Sequence, residues 1–214
     1  MPTRRSVIAG ATLLAALATS PAMSTATTAA KPSHPKPDDF RSTMRKLWED
    51  HITWTRLYIV SAAAHLPEKD ATAQRLLQNQ TDLGNAIKPY YGDGAGSKLT
   101  ALLKDHIMIA TELIDAAQKG DNPKKDDAVK RWNQNADEIA GFLSGANPRN
   151  WPLADMKKMM HDHLDLTTAE VVAQLQKDWA GSVAAYDKIH EQILKMADQL
   201  AMGIRNQFRA KFAN

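Results

Sequence analysis

The stretch Phe40–His65, FRSTMRKLWEDHITWTRLYIVSAAAH, decides the fold. Steps of four and three residues pick out one line along it: Phe40, Met44, Leu47, His51, Trp54, Tyr58, Ser61, His65. That spacing is the seam of an α-helix turned toward other helices. Trp48, Ile52 and Ile59 form a second apolar stripe beside the first, so this helix is apolar over a wide arc and belongs at the centre of the fold. Asp38 and Asp39 suit its start, where negative charge complements the helix macrodipole, and Pro67 stops it near Leu66. A histidine, His51, stands in the middle of an otherwise apolar seam.

Outward from this helix, every further segment repeats the helical period. Short helices are expected at Ala71–Gln78 and Thr81–Lys88, the second ended by Pro89-Tyr90-Tyr91-Gly92. The loop Gly92–Lys98 has glycines but lacks the Gly-Lys-Ser/Thr order of a phosphate loop and a preceding strand, so it reads as a turn with Ser97 capping the next helix. A helix over Lys98–Lys119 carries the seam Leu99, Leu103, His106, Ala110, Leu113, Ala117. After the turn Gly120–Pro123, a helix over Lys124–Ser144 carries Ala128, Trp132, Asn135, Ile139, Phe142. Gly145–Pro148 breaks the chain. The next helix starts near Trp151-Pro152, where proline is tolerated, and carries Met156, Met160, His163. An interruption is expected at Asp165-Leu166, with Thr167–Glu170 as a capping box and Leu166 with Val171 as a staple. The last helices run to Trp179 and from Gly181 to Phe208. There His190 lies on one of two equally good apolar lines.

No segment alternates with period two, and no repeat is visible. The expected fold is all-α: an up-down four-helix-type bundle with one or two additional short helices, over residues 38–210. Residues 1–30 read as an export signal: Arg4 and Arg5 precede the uncharged run Val7–Ala18, too short to span a bilayer, and small residues follow. The paired arginines resemble a twin-arginine signal. Residues 31–37 read as a disordered linker. These features predict a periplasmic or extracellular protein with no integral membrane segment after signal removal.

The formal charge of +3 comes partly from that leader; without Arg4 and Arg5, 25 basic residues face 24 acidic ones. Such a chain has no electrostatic footprint for nucleic acid. With no cysteine in the chain, disulfides and thiolate chemistry are excluded.

Three seams thus carry one histidine each, His51, His106 and His163, and a fourth carries Asn135. Polar groups on separate apolar seams are best satisfied if they meet, because an unpaired buried one costs about 1–3 kcal/mol. Three chemistries fit such a cluster. The three imidazoles could hold Zn, Cu or Fe, with Asp105, Glu112, Asp162 and Asp165 orienting the rings. His51 and His163 could flank haem. Or a small organic ligand could lie between helices, held by His51, Trp54, Arg56, Tyr58 and Asn135. The expectation is an exported bundle binding a small molecule or metal at this cluster. Its alternatives are a metalloenzyme using the same histidines, with Arg56 steering an anionic substrate, and an envelope protein with a structural or interaction role. The inward Glu-x-x-His pattern of di-iron bundles is missing, and His161 and His163, two apart, do not share a helix face.

The segments LWEDHITWTR (47–56), PYYG (89–92), DHIMIATELI (105–114), RWNQNADEIA (131–140) and HLDLT (163–167) resemble those of a family of uncharacterised bacterial helical proteins. The likeness covers most of residues 40–208. It implies the helical fold and this choice of segments, and carries no activity: the transferase and kinase names attached to the family find no nucleotide loop or Rossmann unit here.

Overall fold

The structure is a computed structural model and describes residues 36–213. The expected export signal and most of the linker lie outside the described residues. Five helices follow in order: α1 (Pro37–Ala63), α2 (Lys69–Lys119), α3 (Asn122–Ala146), α4 (Leu153–Leu175) and α5 (Trp179–Gln207), then a 3-10 turn at Arg209–Lys211. No strand occurs among the described residues. The fold is the expected all-α up-down bundle, and no described helix is long and apolar enough to cross a membrane.

Helix α1 packs against α2, α4 and α5, the other packing pairs being α2 with α3, α3 with α4 and α4 with α5. Both stripes of α1 are used: Phe40, Met44, His51, Tyr58 and Ser61 are buried on one, Trp48, Ile52 and Ile59 on the other. Burying each isoleucine contributes about 1.5–3 kcal/mol. Asp38 and Asp39 occupy the first turn of α1 as expected, and the helix ends at Ala63, three residues before the position the sequence suggested.

Helix α2 departs most from expectation. The short helices and the glycine loop form one helical path, broken only at Gly92 (φ 84°, ψ 169°). Ser97 lies inside the helix rather than at its cap. The path is not straight. A Cβ built on Gly84 would lie 2.5 Å from the Gly96 carbonyl oxygen and 1.9 Å from Thr100 Oγ1, and one on Gly96 would meet the Gly84 carbonyl at 2.7 Å. In a straight helix, residues 12 and 16 apart are separated by about 18 and 24 Å. The chain therefore folds back at Gly92, and the two arms cross on facing glycines. Positive φ at Gly92 supplies the reversal, and the bare backbones at Gly84 and Gly96 allow the close approach.

Helix α4 is also continuous, so the interruption at Asp165-Leu166 and the capping box at Thr167–Glu170 are not present. Thr167 Oγ1 bonds the His163 carbonyl one turn back at 2.9 Å, a mid-helix alternative to capping. Asp178 does cap α5, accepting from the Gly181 N–H at 2.9 Å, and Gly120 closes α2 with φ 65°. His190 lies at the edge and bonds Glu49 at 2.8 Å, while Ile189 and Met196 point inward.

The bundle is filled unevenly. At the end holding the start of α1 and the end of α5, Phe40, Tyr90, Phe208 and Phe212 pack together, with Tyr90 and Phe212 stacked at 5.4 Å. Trp151 lies there against Gly203, where a Cβ would fall 2.1 Å from its indole nitrogen. At the other end, a much smaller cluster of Tyr58, Ile59, Ala62, Ile114 and Val171 surrounds open space.

Candidate functional site

That space is a cavity of about 240 Å³ between α1, both arms of α2, α3 and α4. All three seam histidines line it, together with Tyr58, Trp132 and a wall of aliphatic side chains such as Ile59, Leu76, Ile107 and Ile114. Val129 and Val172 also line it and are 40% and 45% exposed, giving its mouth apolar lips, with Lys125 beside them. The helical period placed His51, His106 and His163 correctly: each is 3–4% exposed.

The three rings are held differently. His51 faces Gln80 across its Nδ1, at 3.2 Å from the amide nitrogen. His163 Nδ1 lies 3.2 Å from Gln192 Oε1. His106 Nδ1 lies 2.8 Å from Asn135 Oδ1, and the Trp132 indole N–H donates to its Nε2 at 3.2 Å. Every partner is a neutral amide or indole rather than the expected carboxylates. Glu112 is paired with Arg131 and Asp162 with Lys158. Burial without a negative neighbour keeps all three imidazoles uncharged. It lowers His51 well below 6.5, with His163 and His106 adding repulsion, and it lowers His163 to about 4 and His106 to about 3.

These partners decide the metal question on geometry. His106 has both nitrogens engaged, so it would have to give up the Trp132 bond before it could ligate. Among the described residues no group of three or more His, Asp or Glu is arranged to hold a metal ion. His51 and His163 remain, with ring centroids 5.7 Å apart, and two nitrogens without a third protein ligand fall short of a structural or catalytic zinc set. The expected three-histidine centre does not fit the residues present. A haem between His51 and His163 does not fit either, because a cavity of about 240 Å³ is too small for the macrocycle.

The expected ligand contacts divide. Tyr58 lines the cavity, and burial raises its hydroxyl to about 12, so it stays protonated. Asn135 acts through His106: its Nδ2 donates to the Leu102 carbonyl at 3.1 Å while Oδ1 faces the ring. Trp54 does not line the cavity and lies under the Arg75 guanidinium at 5.2 Å. Arg56 does not line it either. Its Nη1 meets Glu170 Oε1 at 2.5 Å and its guanidinium lies 4.9 Å from the Tyr186 ring centroid. Glu170 is 1% exposed, and burial raises its pKa despite the opposing pull of Arg56. Arg56 is thereby committed to a buried partner rather than to an anion arriving from outside.

Sequence reasoning missed Gln80 and Gln192, the two amides that hold His51 and His163, and the role of Trp132. One signal was present: HITWT and HLDLT each place a threonine four residues after a cavity histidine. Thr55 Oγ1 donates to the His51 carbonyl at 2.7 Å, and Thr167 does the same to His163. Thr111, also on the cavity wall, donates to Met108 at 2.7 Å. With their protons turned back onto the helices, these threonines leave the wall with few polar hydrogens. No family model, curated protein or solved structure matches the chain.

Proposed function

We propose that this chain is an exported binding protein that holds a small, uncharged, largely apolar molecule in the cavity between α1, α2, α3 and α4. Export rests on the leader-like residues 1–30. The observation that carries the binding role is the cavity itself, about 240 Å³ of aliphatic and aromatic wall in a bundle whose opposite end is packed with aromatic rings. Engineered apolar cavities of roughly 150 Å³ bind benzene-sized guests, so this volume suits a compact ring or short chain. The neutral imidazoles and the apolar lips disfavour an anion, since no unpaired positive charge lies on the inner wall to offset its desolvation.

Toluene is a suitable first probe. Binding to the folded state alone raises Tm with probe concentration. The rise should be lost in Ala110→Leu, which places a branched side chain into the cavity wall. A Tm indifferent to toluene in the parent chain would argue against the cavity as a binding site.

A further inference from the structure

The amides around His51 and His163 point in opposite senses, and each sense is traceable to a backbone carbonyl. Asn79 Nδ2 donates to the Leu47 carbonyl at 2.9 Å, which turns Asn79 Oδ1 toward Gln80. Gln80 Nε2 lies 2.8 Å from the Leu76 carbonyl and 3.1 Å from Asn79 Oδ1, so its NH2 end must face this way. The same NH2 faces His51 Nδ1 at 3.2 Å, with two hydrogens shared among three acceptors. An amide nitrogen accepts no hydrogen bond, so a proton on His51 Nδ1 would face another donor, and the ring nitrogen carries none. A neutral imidazole has one, so it is on Nε2. On the other wall, Gln192 Nε2 donates to the Met159 carbonyl at 3.1 Å, turning Oε1 toward His163 Nδ1. That nitrogen must be the donor, and His163 Nε2 is left with a lone pair. Neither Gln80 nor Gln192 lines the cavity, so the Nδ1 edges are turned away from it. Each ring's hydrogen bond among the described residues is made through Nδ1, and neither Nε2 is engaged. Gln80 is itself fully buried and its Oε1 has no partner, a cost borne by the orientation that fixes His51.

We infer that the cavity recognises a hydroxyl group, which accepts a hydrogen bond from His51 Nε2–H and donates one to the His163 Nε2 lone pair. The ligand class is a compact alcohol or phenol with an apolar body. Two rings with centroids 5.7 Å apart and tilted by 41° accommodate one oxygen at about 2.8 Å from each Nε2. Of the four cavity threonines, Thr55, Thr111 and Thr167 are bonded to their own helices and do not compete as donors, and Thr168 is exposed to solvent. A hydrocarbon leaves both nitrogens unpaired, an ether leaves His163 unpaired, and a carboxylate sets a charge against the His163 lone pair. This rests on the cavity being a binding site, and the test separates the two.

Long-range 15N NMR of the full chain at pH 7.5 reads the tautomers without any ligand. The expected result is an Nε2–H imidazole for His51 and an Nδ1–H imidazole for His163; the same tautomer at both, or the reverse pair, overturns the inference. Calorimetric titration with 4-ethylphenol, 4-ethylanisole, ethylbenzene and 4-ethylbenzoate then reads selectivity. The phenol should bind at least tenfold more tightly than the other three. Ethylanisole or ethylbenzene binding as tightly as the phenol overturns hydroxyl recognition while leaving the cavity a binding site. No binding by any of the four overturns the cavity reading and the inference with it, even with the tautomers as assigned.

Discussion

The two ends of the bundle are built from the same kind of helix and differ in what meets at the centre. At one end Phe40, Tyr90, Phe208 and Phe212 close on each other, and Trp151 packs against the bare backbone of Gly203. At the other, three imidazoles, a tyrosine and a ring of aliphatic side chains leave a cavity. Large rings fill the first end because the phenylalanines need no polar partner and the Trp151 indole N–H finds one in the Gln199 carbonyl. Imidazoles cannot pack that way: each ring nitrogen requires a donor or an acceptor, so each ring brings an amide with it, and three such pairs cannot all close at one point. The difference teaches where stability and recognition reside. The filled end holds the helices together, which frees the hollow end to retain unpaired groups.

Truncation at the filled end should have the largest effect. Trp151→Ala removes a 2%-exposed indole and should cost about 3–5 kcal/mol in urea denaturation, with little change in toluene affinity for the molecules that remain folded. Loss of affinity matching the loss of stability would mean that the ends are not independent.

Acid should attack the hollow end next. The folded protein holds its cavity histidines neutral, so below about pH 6.5 the unfolded chain binds more protons and stability falls with pH. The fall continues to about pH 4 for His163 and about pH 3 for His106. By pH 4, His163 alone withdraws roughly 3 kcal/mol, at about 1.4 kcal/mol per pH unit. Glu170, whose pKa is raised, acts in the opposite sense below its folded pKa and offsets part of this. Denaturation of the parent chain and His163→Phe at pH 7 and 4.5 should show a shallower pH slope in the variant; equal slopes would remove His163 from the account.

The buried ion pair beside the cavity gives a smaller effect. Glu170→Ala leaves the Arg56 guanidinium facing Ser182 and Tyr186 without its anion, and should cost about 2–3 kcal/mol. The double change Glu170→Met with Arg56→Met should recover most of that. An unchanged ligand affinity in the double variant would support the view that Arg56 serves the fold and not the site. The smallest effect has the opposite sign. Ala110→Leu should stabilise the chain by about 0.5–2 kcal/mol while abolishing toluene binding, as filling an unused void does.

How far the sequence revealed this division depends on what periodicity encodes. The steps of three and four placed Phe40, Met44, Tyr58, Ile139 and Met156 inside and marked His51, His106, Asn135 and His163 as polar residues on apolar seams. Periodicity encodes direction around a helix and carries no height along the bundle. It therefore could not tell that Asn135 and Trp132 would close on His106, while His51 and His163 stay open. Gln80 was hidden by a supposed break between Gln78 and Thr81, although Leu76, Leu83 and Ile87 continue the seam across it. Gln192 was hidden because it stands beside the buried line of Ile189 and Ile193. Arg56 looked available for the same reason: its partner Glu170 is 114 residues away, in a segment that resembled a capping box.

The reversal at Gly92 also sets an order of assembly. Contacts across the two arms of α2 join residues only 12 to 16 apart, such as Gly84 with Gly96 and Thr100. Closing α5 onto α1 joins residues such as Glu49 and His190, 141 apart, which costs more chain entropy and comes later. Gln80 and His106, on opposite arms, are thus brought into place by a local hairpin before α4 delivers His163.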